Sequence, residues 1–285
     1  KEAYYYLDGT PTNSYLKMLY KYPQRRFPYR DLLTKNQIGR DKPEIELVDL
    51  GLFDDDRYFD VFVEFAKAGE ADTLIQITIR NLGPEAAELQ VLPQLWFRNT
   101  WSWGCEHEGC WPKPSMSLNA EKQIVATHAT LGEFRFAADV SSDGTNFDWL
   151  FTENESNPRY LHDQTLAGKF FKDAFHEYVV NKQKKAIDAR KKGTKAAAHY
   201  SMMIGAGEEV LLRLRLWAKD EPPAQAFGKP FDFTMAQRLS EANGFYDTKI
   251  PQDIAGVQTL IDSGELPTTR GKGKQPMTKL SEYVK

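Results

Sequence analysis

RYFDVFVEFAKA, Arg57–Ala68, sets Phe59, Val61, Val63 and Phe65 against Tyr58, Asp60, Phe62 and Glu64. A period of two sends successive side chains to opposite faces, so this stretch is a strand with one apolar face. TLIQITIRN, Thr73–Asn81, repeats the pattern, with Ile75, Ile77 and Ile79 alternating with Leu74, Gln76, Thr78 and Arg80. Turn chemistry brackets both runs: DDDR at Asp54–Arg57 leads in, and Leu82-Gly83-Pro84-Glu85 leads out. The third run, Leu89–Phe97, is too densely apolar for a half-exposed strand and is expected to be packed on both faces. Three strands joined by short turns predict an antiparallel meander.

The same period recurs further along. Gln123–Thr130 and Glu133–Asp139 flank Leu131-Gly132 as a hairpin, Asp148–Phe151 follows, and Ala196–Ile204 and Glu209–Ala218 are joined by Gly205-Ala206-Gly207. EIELVDLGLF, Glu44–Phe53, also alternates and is expected to be a strand. Strands in series without intervening helices point to a mainly β chain, a large antiparallel β-sandwich. Short helices are expected before it. Thr12-Asn13-Ser14 offers an N-cap to Tyr15, Leu16, Leu19 and Tyr20 until Pro23 stops the run, and a second helix spans Tyr29–Asn36 before Gly39. A C-terminal helix is expected over Phe233–Tyr246. Residues 152–195 read as an excursion, with a short helix within Phe170–Tyr178 and a solvated basic loop over Lys182–Lys195. The domain is therefore placed at residues 1–246, followed by a poorly ordered tail at 247–285.

The 285 residues are 41% hydrophobic and carry a formal net charge of -3. That composition supports a real core and gives no electrostatic reason to expect nucleic acid, which needs a concentrated basic surface. No apolar run approaches the ~20 residues that span a bilayer, so no membrane partner is expected. KEAYYYLDGT lacks the apolar stretch of a signal peptide, and we expect a soluble protein, cytoplasmic rather than secreted. The missing initial methionine leads us to expect residues upstream of Lys1.

Chemistry concentrates after the third strand. LPQLWFRNTWSWGCEHEGCW, Leu92–Trp111, carries Trp101, Trp103 and Trp111, whose indoles can stack on a sugar ring or roof a core. Paired carboxylates for glycoside hydrolysis need two acids about 5–9.5 Å apart across a cleft, and Glu106 with Glu108, or Glu153 with Glu155 in FTENESN, are the candidates. Solvated loop acids explain the same residues. Cys105, His107 and Cys110 are zinc-ligand types at poor spacing with no second pair elsewhere, so no metal is expected; free thiols or a local disulfide remain open for the two cysteines. Nucleotide, dinucleotide, serine-hydrolase and zinc-protease motifs are absent, and no cofactor is expected.

Six blocks, YYYLDGTPTNSYLKMLYKYPQ, RYFDVFVEFAKA, IRNLGPEAAELQVLPQLWFRNTWSWG, FTENESN, KDAFHEYV and GTKAAAHY, resemble bacterial proteins related to glycoside hydrolase family 63, the mannosyl-oligosaccharide glucosidase family. The likeness covers roughly residues 1–246. It implies an N-terminal β-sandwich followed by an (α/α)6 barrel that supplies the acid and base of an inverting glycosidase. The residues after Tyr246 cannot form twelve helices, so the resemblance carries no catalytic carboxylate onto this chain. It implies a non-catalytic sandwich that packs on such a barrel and helps wall a cleft for an oligosaccharide or glucan. An apolar docking patch, with self-association as its consequence, is the corresponding expectation.

Overall fold

The computed structural model of the chain describes residues 2–39, 41–103, 111–159 and 170–249. Its first strands are β1 (Ala3–Gly9), β2 (Tyr15–Pro23), β3 (Tyr58–Gly69), β4 (Asp72–Asn81), β5 (Ala87–Val91) and β6 (Gln94–Trp96). There follow β7 (Ser115–Leu118), β8 (Ile124–His128), β9 (Gly132–Ala138), β10 (Phe147–Thr152), β11 (Lys192–Gly193), β12 (Lys195–Ile204) and β13 (Glu209–Ala218). Among the described residues these make two antiparallel sheets. The large one has the order β1-β2-β3-β4-β13-β9-β8-β7-β11, and the small one the order β10-β12-β5, with β6 also pairing β12. Helices are α1 (Tyr29–Lys35), α2 (Ala174–Val179) and α3 (Lys229–Asp247).

Period-two patterning fills the space between the sheets. On β12, Ala196, Ala198, Tyr200, Met202 and Ile204 all face inward and are buried, against Ile77, Ile79, Phe136, Leu212 and Leu214 of the large sheet. Size is matched across strands: Ala198 lies opposite Trp149 and Ala196 opposite Phe151 on β10. A small residue beside a large one lets the layer reach crystal-like packing density without a void. The expected sandwich is thus the observed one, and Phe59, Val61, Val63, Ile75, Ile77 and Ile79 supply its core side as their alternation predicts.

Three local expectations are corrected. Thr12–Pro23 is not a helix. Residues 11–14 turn the chain, with Asn13 at φ 53°, and β2 pairs along its whole length with β3. Tyr15, Lys17, Leu19 and Lys21 also alternate with Leu16, Met18, Tyr20 and Tyr22, so both periods fit, and pairing to β3 decides between them. Glu44–Phe53 is not a strand either. Glu46 N donates to Asp49 Oδ2 at 2.8 Å, a 3-10 turn spans Val48–Leu50, and Gly51 at φ 63° closes it, burying Leu47 and Leu52 on Leu32 of α1. Here side-chain capture of the local backbone by Asp49 favours the turn over a strand. The basic run Lys182–Lys195 is more than a solvated loop: it buries Ile187 and Asp188, and its end forms β11 and begins β12. Gly193 is needed there because a Cβ would overlap the Thr152 carbonyl.

The meander expectation fails at its third strand. β4 is followed in the large sheet by β13, with Glu209–Trp217 opposite Asp72–Arg80, and β5 belongs to the small sheet. Asn81, fully buried, holds this crossover. Its Nδ2 donates to the carbonyls of Glu85 (2.8 Å) and Ile204 (2.9 Å), and its Oδ1 accepts from Gly83 N (2.8 Å) and Gln24 Nε2 (2.6 Å). Pro93, which has no N–H to give a ladder, divides the Leu89–Phe97 run into β5 and β6. The run uses both faces, unequally: Leu89, Val91 and Leu95 face the core and Leu92 packs against Leu150, Phe175, Ile187 and Ala197 on the other side, whereas Gln94 and Trp96 are exposed.

Helix α3 covers the outer face of β2–β4, where Phe231, Met235 and Ala242 bury Tyr15, Ala66 and Leu74. It begins at Lys229, four residues before the expected start, because Gly228 at φ 87° turns the chain and Pro230 occupies the first turn. Its approach is anchored by Arg215, which bonds both Asp72 carboxylate oxygens (2.9 and 2.6 Å) and the carbonyls of Gln225 and Ala226 (3.1 Å each). The tail expected from Asp247 onward lies, after Lys249, outside the described residues.

The core-facing side of the large sheet runs on past the small sheet. In register with Val61 and Val63 come Tyr20 and Met18 of β2, and opposite those come Tyr4 and Tyr6 of β1. Tyr4 is 51% and Tyr6 81% exposed. Aromatic contacts continue the strip through Tyr22 and Phe27 to Tyr29, the last two rings stacked at 5.5 Å.

Candidate functional site

The end of the small sheet that carries β6 gathers the tryptophans and two of the predicted carboxylates. β10 ends at Thr152, whose hydroxyl donates to the carbonyls of Phe170 and Phe171 and so fixes where the following acids emerge. Asn154 then ties three segments together, its Nδ2 donating to Phe97 O and its N–H to Thr194 Oγ1, both at 2.8 Å. Thr194 Oγ1 donates in turn to Glu153 Oε2 at 2.7 Å. Asn99 Oδ1 accepts from Ser102 Oγ at 2.8 Å and stabilises the 3-10 turn Trp101–Trp103.

From that turn Trp101 Nε1 donates to Glu155 Oε1 at 2.8 Å. Lys113 Nζ lies 3.1 Å from Glu153 Oε2 and 3.1 Å from Glu155 Oε1, and 5.8 Å from the centre of a Trp101 ring. Burial pulls the Lys113 ammonium down, but the two carboxylates more than offset it and leave its pKa above the ordinary lysine value. Glu155 is only 7% exposed, whereas Glu153 opens on a surface cleft of about 400 Å³ shared with Lys113, Ser115, Ser117, Lys192 and Thr194. The arrangement is a charge-compensated cluster: a cation stands between the two carboxylates where a hydrolase would hold the glycosidic oxygen or a water.

Glu153, Glu155 and Trp101 are thus brought together. Trp111 is 42% exposed, and Trp103 is described only as the end of its turn. Glu106, Glu108, Cys105, His107 and Cys110 lie outside the described residues. Lys113 and Thr194 carry no signal in the sequence, since only the register of β7, β10 and β11 brings them to the acids. Trp96 could have been found: Pro93 inside an apolar run marks a break to an edge strand, and Trp96 is the most exposed tryptophan described, at 57%.

A cleft of about 490 Å³ lies beside the tyrosine strip, lined by Arg25, Arg26, Phe27, Tyr29, Arg30 and Lys35. Among the described residues no group of three or more His, Cys, Asp or Glu side chains is arranged to hold a metal, and no buried side-chain polar atom lacks a partner. Among them, too, no helix is long and apolar enough to cross a membrane.

No family model matches the chain. It is similar to an uncharacterized protein of Saccharomyces cerevisiae, YMR196W, with 35% identity over 310 aligned positions. The alignment covers 94% of this chain, and the chain spans 28% of the length of that relative.

Proposed function

We propose that this sandwich is the non-catalytic domain of a glycoside hydrolase family 63-like glycosidase, packing on an (α/α)6 catalytic barrel and helping to wall its carbohydrate cleft. The observation that carries the proposal is the tyrosine strip. Tyr4, Tyr6, Tyr20 and Tyr22 continue the core-facing side of the large sheet beyond the small sheet, and large contiguous apolar surfaces of this kind mark docking sites. The arginine-lined cleft beside it suits an acidic complement on the partner. The much longer relative supports a module of a longer polypeptide.

The test is to mix the purified sandwich with the remainder of the yeast relative, produced as a separate chain, with that relative's own matched segment as reference. A stable complex is expected, lost on Tyr6→Asp with Tyr22→Asp. The proposal fails if the reference segment binds and this sandwich does not, or if the aspartate pair binds as well as the parent.

A second role, glycan binding by an indole platform, is favoured by the exposure of Trp96 and Trp111. In that role Trp96→Ala and Trp111→Ala lower glucan affinity without loss of fold, and Trp101→Ala, which removes one of the partners of the buried Glu155, destabilises the domain. An independent hydrolase working through Glu153 and Glu155 gains no support from the geometry, because Lys113 fills the space between them.

A further inference from the structure

The outer face of the small sheet carries a separate polar cleft of about 330 Å³. Its floor consists of cross-strand partners: Gln90 of β5 lies opposite Ser201 of β12, and His199 of β12 opposite Asp148 of β10. Its wall is Tyr178 of α2 with Lys182 and Lys184 of the following loop. His199 and Ser201 stand four and six residues along β12 from Lys195, the partner of Trp96. At ~3.3 Å per residue that is about 13 and 20 Å, so the cleft is distinct from the tryptophan end.

Hydrogen bonding orders the floor. Gln90 Nε2 donates to Glu88 Oε1 at 2.6 Å and to Ser201 Oγ at 2.8 Å, and Gln90 Oε1 lies 2.6 Å from His199 Nε2. A carboxylate only accepts, so the Gln90 nitrogen faces Glu88 and its oxygen accepts from His199 Nε2–H. The imidazole keeps Nδ1 as its acceptor, and the Ser201 hydroxyl, having accepted from Gln90, keeps its proton to donate. The wall is equally set. Glu177 Oε2 accepts from Asn181 Nδ2 and Gln183 Nε2, both at 2.9 Å, and holds Lys182 between them at φ 57°, a left-handed conformation that a non-glycine residue adopts only when its surroundings enforce it. Lys184 Nζ sits 4.1 Å from the centre of the Tyr178 ring.

The charges of Lys182 and Lys184 balance those of Glu88 and Asp148, so these four side chains give the cleft no net charge to favour an ion of one sign. What the cleft offers is a dense alternation of donors and acceptors on a flat floor three strands, about 10 Å, wide. We infer that this cleft binds a neutral polyhydroxylated ligand, a short saccharide whose hydroxyls pair with Asp148, His199, Ser201 and the two lysines. Burial lowers the His199 pKa despite Asp148, which keeps the ring neutral and an acceptor at ordinary pH. The inference is independent of the docking proposal, since the outer face of the small sheet is not the tyrosine strip.

The full chain, labelled for NMR, is titrated with maltotriose and cellotriose, and with inorganic phosphate and glycine as ionic probes. At least one trisaccharide is expected to shift the His199 ring and Ser201 amide signals, with Kd raised about tenfold by Gln90→Leu and about threefold by Ser201→Ala. The shape-preserving Asp148→Asn, which keeps the floor intact, is expected to weaken binding about threefold as well. Failure of both trisaccharides to shift these signals overturns the inference, as do shifts confined to Trp96, Trp101 and Trp111, or phosphate or glycine acting in their place.

Discussion

The two faces of the hairpin β1–β2 and its neighbour β3 both carry tyrosines, and those tyrosines meet opposite fates. On one face Tyr15 is fully buried beneath α3, its hydroxyl donated to Glu64, whose other contacts are Gln76 Nε2 at 3.4 Å and Lys17 Nζ at 3.7 Å. On the other, Tyr6 is 81% exposed with nothing above it among the described residues but Tyr4, edge-on at 5.8 Å. The described residues supply a lid for the first face and none for the second. An aromatic residue on a strand is therefore not by itself a core residue or a ligand residue; what the rest of the polypeptide lays over it decides.

Removing the lid's anchor tests the covered face most severely. Phe231→Ala takes a fully buried ring from between α3 and the sheet, and a loss of about 3–5 kcal/mol is expected in denaturant unfolding. A loss below about 1 kcal/mol would mean that α3 rests on the sheet without stabilising it.

Tyr15→Phe is a finer cut. It leaves the ring and deletes the hydroxyl, so Glu64 keeps only its longer contacts, and about 1–3 kcal/mol is expected to go. Burial, then the hydrogen bond to Glu64, raises the Tyr15 pKa, so ionisation of the phenol opposes folding. The sign follows from linkage: a raised folded pKa contributes stability that is whole below the unfolded value of about 10 and falls away as pH climbs above it. The phenylalanine variant should lack that alkaline loss, which a pH series of melting curves detects.

The uncovered face should respond least. Tyr6→Ser is expected to change stability by no more than about 0.5 kcal/mol, while lowering any self-association seen by light scattering. A large destabilisation would show that the strip is core after all and would remove the contrast between the faces.

Much of this was legible from residue order. The alternation in Tyr58–Phe65 and Thr73–Asn81 predicts both strands, their pairing and the side that meets the core, because burial on one face leaves period two no other solution. Tyr15–Tyr22 satisfied a helical period as well, and only a partner strand distant in sequence resolves it. At the candidate site, Glu153, Glu155 and Trp101 were named from their chemistry, whereas Lys113 and Thr194 reach them through strand register. The exposure of Trp96 is hidden by the dense apolar run around it, which reads as one strand until Pro93 is seen to divide it. His199, Gln90 and Ser201 share no signal along the sequence, since a sheet surface assembles its pattern across strands rather than along them.

Asn81 sits where the chain twice passes between sheets, once from β4 to β5 and once from β12 to β13. Gly207 N donates to its carbonyl, and its own N–H donates to Glu208 O, both at 3.0 Å. Separating the layers at this end exposes a side chain with four partners at once, so opening here has no cheap first step. Amide hydrogen exchange at Gly83 and Gly207 should then run at the rate of whole-domain unfolding, and the two layers should lose protection together, as one cooperative body.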